Sequence, residues 1–177
     1  INLMAIINIT YDSFSDGGLF IDFESAIKHA SLCIQEGAQI LDLGAQSTRP
    51  GASEVGFEIE INRLIPLIKE LKLIHPEIPI SVDTFHHSVA ASVLNAGANL
   101  INDISGGRHD PEIFNVISDI GCPYVLTHSR GNSKSMDSLA KYENVVLDVK
   151  NELTNQIDLA ISSGLNSNQI IIDPGLG

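Results

Sequence analysis

The sequence has 177 residues, 44% hydrophobic and 18% charged, which suits one globular domain with a real core and argues against disorder. Its 22 acidic and 10 basic residues leave a formal net charge of -12, a field that repels nucleic acid and anionic membranes. No apolar run approaches the roughly 18–20 residues of a membrane span, and no stretch has the layout of a signal peptide.

In chain order, residues 3–9 read as a first strand. Residues 23–36 read as a helix with Ala26, Ile27, Ala30 and Ile34 on one face. A second strand over 39–43 precedes a helix over 58–74, where Ile61, Leu64, Ile65, Ile68 and Leu71 recur at helical spacing. A third strand at 78–82 leads to a helix at 88–95 closed by Gly97. A fourth strand at 99–101 leads to a helix at 111–119 closed by Gly121. A fifth strand at 124–127, a long helix at 145–163 closed by Gly164, and a sixth strand at 169–172 complete the chain. Gly37-Ala38 and Gly97-Ala98, each followed two residues later by a pair of Ile and Leu, form a weak repeat that marks the helix-to-strand turn.

Strands alternating with helices of this length predict βαβ units and a parallel sheet. Each predicted strand runs into polar residues at its C-terminal end: Asn8, Asp42, Asp83, Asn102 with Asp103, His128 and Asp173. The opposite ends carry no comparable set. Strand C-termini form the active face of a (β/α)8 barrel. A doubly wound sheet also binds there, but at its switch point and not along nearly every strand. The expectation is therefore one α/β domain over 1–177, a (β/α)8 TIM barrel of which six strands and five helices are present. A full barrel needs about 250 residues, so the last two units are expected to lie beyond this segment. Ile1 already sits in an apolar run, so the natural chain is expected to begin upstream.

Two loops stand out. Residues 8–18, Asn-Ile-Thr-Tyr-Asp-Ser-Phe-Ser-Asp-Gly-Gly, are small and polar enough to close over a substrate, and read equally as an ordinary turn-rich βα loop. Residues 44–51 carry Arg49, whose guanidinium matches phosphate or carboxylate oxygens in bidentate fashion, or is simply solvated. Adjacent His86-His87 could suggest a metal pair, but solvated histidines are the plainer reading. His29, His75 and His109 read as helix-surface or helix-end residues, and Glu58, Glu60 and Glu70 as a solvated helix face. Cys33 and Cys122 lack CxxC spacing and read as thiols of a reducing, cytoplasmic compartment.

The ordered strings NIT-x-DSFSDGG, LDLGAQSTRPG, VDT, INDISGG, THSRG and DPGLG make the whole chain resemble the dihydropteroate synthase family. The first two strings are long and specific. The resemblance implies a transferase of folate biosynthesis that joins 6-hydroxymethyl-7,8-dihydropterin pyrophosphate to p-aminobenzoate. It implies Asp83, Asn102 and Asp173 as pterin-binding groups; read from position alone, Asp83 and Asp173 are slightly better taken as caps at strand–helix turns. It places Asn8 near the pyrophosphate and its Mg2+, a neutral oxygen ligand of a kind that ion accepts. Thr48, Arg49 and Pro50 match the p-aminobenzoate loop, and Phe14 and Asp16 the mobile first loop, with Asp16 and Arg49 as catalytic groups.

Asn102 and Asp103 must point to opposite sides of a strand, and since the resemblance assigns Asn102 to the pocket, it leaves Asp103 to structural hydrogen bonds. His128, within the HxRG-like string, reads as site wall or structure. The family's pocket lysine and its last Ser-Arg and Arg-x-His groups fall beyond Gly177. Departures from the family pattern are Tyr11 for proline, Ala45-Gln46 for Gly-Glu, and Thr127 and Ser129 for bulkier residues; they bear on loop geometry and pocket shape. A methyltetrahydrofolate-binding methyltransferase domain, or a non-catalytic pterin-binding domain of a larger folate-pathway protein, shares part of this chemistry. The sequence leaves the oligomeric state open, a homodimer included.

Overall fold

The computed structural model describes residues 2–9, 18–45, 56–131 and 135–176. Six strands, β1 (Met4–Asn8), β2 (Ile40–Gly44), β3 (Ile80–Asp83), β4 (Leu100–Asp103), β5 (Tyr124–Thr127) and β6 (Ile170–Asp173), form one parallel sheet in the order 1-2-3-4-5-6. Between them run α1 (Gly18–Gln35), α2 (Phe57–Ile74), α3 (His87–Ala96), α4 (Ile113–Ile120), α5 (Met136–Leu139) and α6 (Val145–Ser162). A doubly wound sheet reverses its strand order at a switch point. This order never reverses, so the chain forms an arc of a (β/α)8 barrel, as expected. Among the described residues β1 pairs only with β2, and β6 only with β5.

The helix-to-strand turns explain the repeat. After α1, the amide of Gly37 donates to the carbonyl of Ile34 (3.0 Å) and that of Ala38 to Cys33 (2.9 Å). After α3, Gly97 donates to Leu94 (3.2 Å) and Ala98 to Val93 (3.0 Å). This paired pattern satisfies the last helical carbonyls and needs a left-handed residue, which Gly37 (φ 109°) and Gly97 (φ 118°) supply at little steric cost. The strand then begins at a fixed distance, Ile40 or Leu100.

Alternation along the strands divides the sheet into two faces. Leu41, Leu43, Ile80, Val82, Ile101, Tyr124 and Leu126 pack with Ala30, Leu64, Leu67, Ile68, Val89, Val93 and Ile117 into one buried core between sheet and helices. The other face is the barrel interior. Ile6 on β1 and Ile171 on β6 are 64% and 49% exposed there, because the arc leaves both flanks open.

Three details depart from the expected pattern. Helix α1 begins at Gly18, five residues earlier than the apolar spacing suggests. The stretch between β5 and α6 contains an extra single turn, α5. Glu60 does not lie on a solvated face. It is fully buried, on the same stripe as Leu64, Leu67, Ile68 and Leu71. No helix among the described residues is long and apolar enough to cross a membrane. Both cysteines are free thiols, and burial pushes that of Cys122 up.

Candidate functional site

Register places the site. Asn8 pairs with Gly44, Gly44 with Asp83, and Asp83 with Asn102. Side chains in register on parallel strands share a face, so one row of the barrel interior carries Asn8, Asp83 and Asn102 at the strands' C-terminal ends. Gly44 completes the row with no side chain. A Cβ there would collide with Asn8 Oδ1 and lie 3.8 Å from Asp83 Oδ2. The glycine therefore opens the space into which both polar groups project. Asp173 pairs with Thr127, on the same face but one inward position further toward the mouth.

The polar groups of this face are poorly satisfied, and that is its main chemical property. The Asp83 carboxylate accepts no hydrogen bond from any described residue. Burial first, and then the carboxylates of Asp42, Asp103 and Glu60, push its pKa up to about 7. Asn102 donates from Nδ2 to Asp42 Oδ2 at 2.9 Å and is otherwise open. Three further buried atoms, Asp42 Oδ1, Ser81 Oγ and Thr127 Oγ1, have no hydrogen-bond partner among the described residues. Buried polar groups are ordinarily paired. A concentration of unpaired ones on the inner face, and on the strands that line its mouth, marks a surface built to meet a polar ligand. Asp173 is partly used: its Oδ1 accepts from the amide of Gly175 at 2.8 Å, which is the capping role its position also suggested. Its second oxygen accepts from no described residue.

The opposite face of β4 shows the contrast expected between Asn102 and Asp103. Asp103 is fully buried and accepts from the Tyr124 hydroxyl (2.6 Å) and the amides of Ser105 (2.7 Å) and Gly107 (2.8 Å). Burial raises its pKa against the lowering effect of these bonds, and the Tyr124 hydroxyl is pushed well above its usual range. His128 likewise turns out structural: it is buried, with Nε2 3.0 Å from Glu152 Oε2 on α6.

The histidine pair divides. His86 sits 3.5 Å from Glu60, which also accepts from the Thr84 hydroxyl at 3.0 Å. His87 bonds Asp110 through its backbone amide (2.9 Å) and Nδ1 (2.7 Å), with Glu112 3.5 Å from Nε2. Both pairings staple helices to the rim. His87, Asp110 and Glu112 could hold an ion by distance, but the Asp110 oxygen is already committed to the start of α3.

Of the residues singled out from the sequence, Asn8, Asp83, Asn102 and Asp173 are brought to one face. Phe14 and Asp16 in the first loop, and Thr48, Arg49 and Pro50 in the second, lie outside the described residues, as do Tyr11 and Gln46. Ala45, at the base of the second loop, is buried, and its carbonyl accepts from Arg63 at 3.0 Å. Two residues were under-read. Asp42 is not a strand-end group but a mid-strand one, flanked by Leu41 and Leu43, and that alternation is the signal that it faces inward. Glu60 falls four residues before Leu64 on the apolar stripe, which is the signal that it is buried.

The geometry agrees with what the chain is similar to. The model of the pterin binding enzyme family matches residues 4–177. The chain is 44% identical over 175 residues to the dihydropteroate synthase of Synechocystis, covering 99% of this chain and 60% of that protein. It is 45% identical to the mitochondrial folate synthesis bifunctional protein of Pisum sativum, covering 35% of that longer chain. Among solved structures, the Xanthomonas albilineans dihydropteroate synthase with 4-aminobenzoic acid superposes with a TM-score of 0.88 at 39% identity. That match covers 99% of this chain and 62% of the other, so the sequence spans about three fifths of these two synthases. An inner barrel row of carboxylate and amide groups, together with a family match along nearly all of its length, places this chain in the pterin-binding enzyme family.

Proposed function

We propose that the protein carrying this chain is a dihydropteroate synthase. It joins 6-hydroxymethyl-7,8-dihydropterin pyrophosphate to p-aminobenzoate and releases 7,8-dihydropteroate and pyrophosphate. The observation that carries the reading is the inner row of Asn8, Asp83 and Asn102, in register and with an Asp83 carboxylate that accepts from no described residue, within a chain so similar to named synthases.

The pterin's pyrimidine edge offers an exocyclic NH2, a ring N–H and a carbonyl. A carboxylate accepts both N–H bonds together, and an amide both donates and accepts. Asp83 is the group suited to the paired donors, because it sits in the row with no donor of its own among the described residues. Asn102 and the free oxygen of Asp173 complete the recognition. In the reaction a C–N bond forms between the arylamine and the pterin methylene. The C–O bond to pyrophosphate breaks, its electron pair leaves with pyrophosphate, and the amine's surplus proton passes to solvent. An aniline needs little help as a nucleophile, so departure of pyrophosphate is the demanding step. Carboxylates around the ring favour the positive charge that develops there if departure leads.

Mg2+ fits the open mouth. Asn8 Oδ1 is an exposed neutral oxygen, and Mg2+ binds through few protein groups plus substrate phosphates and water. Bound there, the ion would neutralise charge on the leaving group. Thr48, Arg49 and Pro50 are proposed to hold p-aminobenzoate and Asp16 to close the first loop. These assignments rest on the resemblance of their motifs. Thus Arg49→Ala should impair turnover more than pterin binding.

The test supplies the full natural chain with Mg2+, the dihydropterin pyrophosphate and labelled p-aminobenzoate. Labelled dihydropteroate is expected. Pterin binding without product would leave a pterin-binding domain and remove the synthase reading. Retention of the bridging C–O bond order in the transition state, seen as no secondary isotope effect at the methylene, would count against early departure of pyrophosphate.

A further inference from the structure

Asp42 has no role in the recognition just described, yet its placement is costly. It lies mid-strand on β2 at 4% exposure, one inward position below Gly44. Its Oδ2 accepts from Asn102 Nδ2 at 2.9 Å, and its Oδ1 is buried with no partner among the described residues. The in-register residue on β3, Ser81, also buries a hydroxyl without a partner. A leucine would fill this layer without the penalty of a half-satisfied buried carboxylate. Stability alone therefore does not account for an aspartate here.

Its chemistry does. An asparagine amide can turn either end toward a neighbour, since its oxygen accepts and its nitrogen donates. A carboxylate only accepts. Opposite Asp42, the amide of Asn102 must present its NH2, and the planar group then directs Oδ1 away from Asp42. We propose that Asp42 is a positioning residue of the pterin pocket, fixing the direction of the Asn102 amide so that one defined acceptor faces the ligand. The inference rests on the reading of the inner row as a pterin site. Asp42 touches no substrate in this scheme; it acts through Asn102.

Asp42→Asn is the diagnostic change. It keeps the volume and can still pair with Asn102, but it donates or accepts equally well, so the amide loses its fixed direction. Binding of 6-hydroxymethylpterin is measured by calorimetry with the full natural chain, in the parent, D42N, N102A and the double variant. D42N should lose roughly five- to fiftyfold in affinity while its melting temperature holds or rises. In the N102A background the same change should alter affinity less than about twofold, because the group it orients is gone. Asp42→Ser, which also both donates and accepts, is read in the same way if D42N fails to fold. Parental affinity in D42N, or an equal loss with and without Asn102, overturns the positioning role while leaving the pocket intact. Absence of pterin binding by the parent itself overturns the pocket reading instead.

Discussion

Asp83 and Asp103 are carboxylates on neighbouring strands, the first half-buried and the second fully buried, and their surroundings differ in almost everything. Asp103 faces the helices and has three donors around it: a tyrosine hydroxyl and two backbone amides. Asp83 faces the barrel interior with no described donor, among other carboxylates. The same contrast recurs at the end of β5. There Arg130 bonds Glu152 through Nε (2.9 Å), donates to the carbonyl of Lys141 (2.6 Å) and stacks 3.9 Å from the Tyr142 ring centroid. Its guanidinium holds the Glu152 carboxyl below the usual range. A cavity of about 580 Å³ opens beside these groups, lined by Arg108, Ser129, Arg130, Lys141 and Glu152. A charged side chain whose bonding capacity is already used serves the fold. One whose capacity is left open, on the face where strands end, is available to a ligand.

Substitution should separate the two classes, and the largest effect is expected at the saturated one. Asp103→Ala leaves the Tyr124 hydroxyl and the amides of Ser105 and Gly107 unpaired. At about 1–3 kcal/mol for each stranded buried group, the loss should reach at least 3 kcal/mol and lower the melting temperature sharply. Asp83→Ala should do the reverse. Pterin affinity falls by roughly ten- to a hundredfold, since the ligand's N–H donors meet no acceptor, while thermal stability holds or improves. Calorimetry and melting curves on both variants decide the matter. Equal effects on stability would erase the distinction between the faces.

A pH series sharpens the same comparison. In an unfolded chain Asp83 ionises near pH 4, and in the fold near 7. Between these values the unfolded chain has released the proton and the folded chain keeps it. Stability attributable to this group is therefore present below about pH 4, falls as pH rises toward 7, and stays lost above. Asp83→Asn removes the dependence, so the variant should gain on the parent across that window and hold a constant lead beyond it. Pterin affinity of the parent should rise through pH 7, because only the ionised carboxylate accepts both N–H bonds. A pH-independent gap in melting temperature between parent and variant would show that Asp83 is ionised throughout.

How much of this was legible in the sequence depended on whether the signal was local. The six strands and their order followed from alternating apolar runs and glycine-closed helices, because those patterns arise from burial against adjacent elements. Asn102 and Asp103 were separable because a strand has period two. Glu60 was misread because its buried partners, Thr84 and His86, come from a distant loop; residue type suggested solvent where position on the stripe gave burial. Asp42 was legible as polar but not as a partner of Asn102, 60 residues away in sequence. Helix α5 had too few residues for a period to show.

The smallest expected effect lies where a saturated group is also partly exposed. Asp110 accepts from the backbone amide of His87 at the start of α3 and from the same residue's ring. Burial, the largest single influence, would raise its pKa, but the two bonds to His87, the charge of that ring and the amide of Glu112 together leave it below the usual range. The carboxylate therefore works as a helix cap supplied from another loop, tying the β4–α4 connection to α3. Asp110→Ala should cost about 1 kcal/mol, the usual worth of such a cap, and lower the melting temperature by a few degrees. Because the folded pKa is depressed, this contribution is present above the unfolded pKa near 4 and disappears as pH falls below it. The gap between parent and variant should thus close in acid, as for Asp83→Asn, but with the opposite sign, because here the parent is the more stable of the two above pH 4. Pterin affinity should not change, since the carboxylate is bonded to His87 and to no residue of the inner row. A drop in pterin affinity comparable to that of Asp83→Ala would mean that the rim staples help shape the pocket, and that saturated and open groups are not independent.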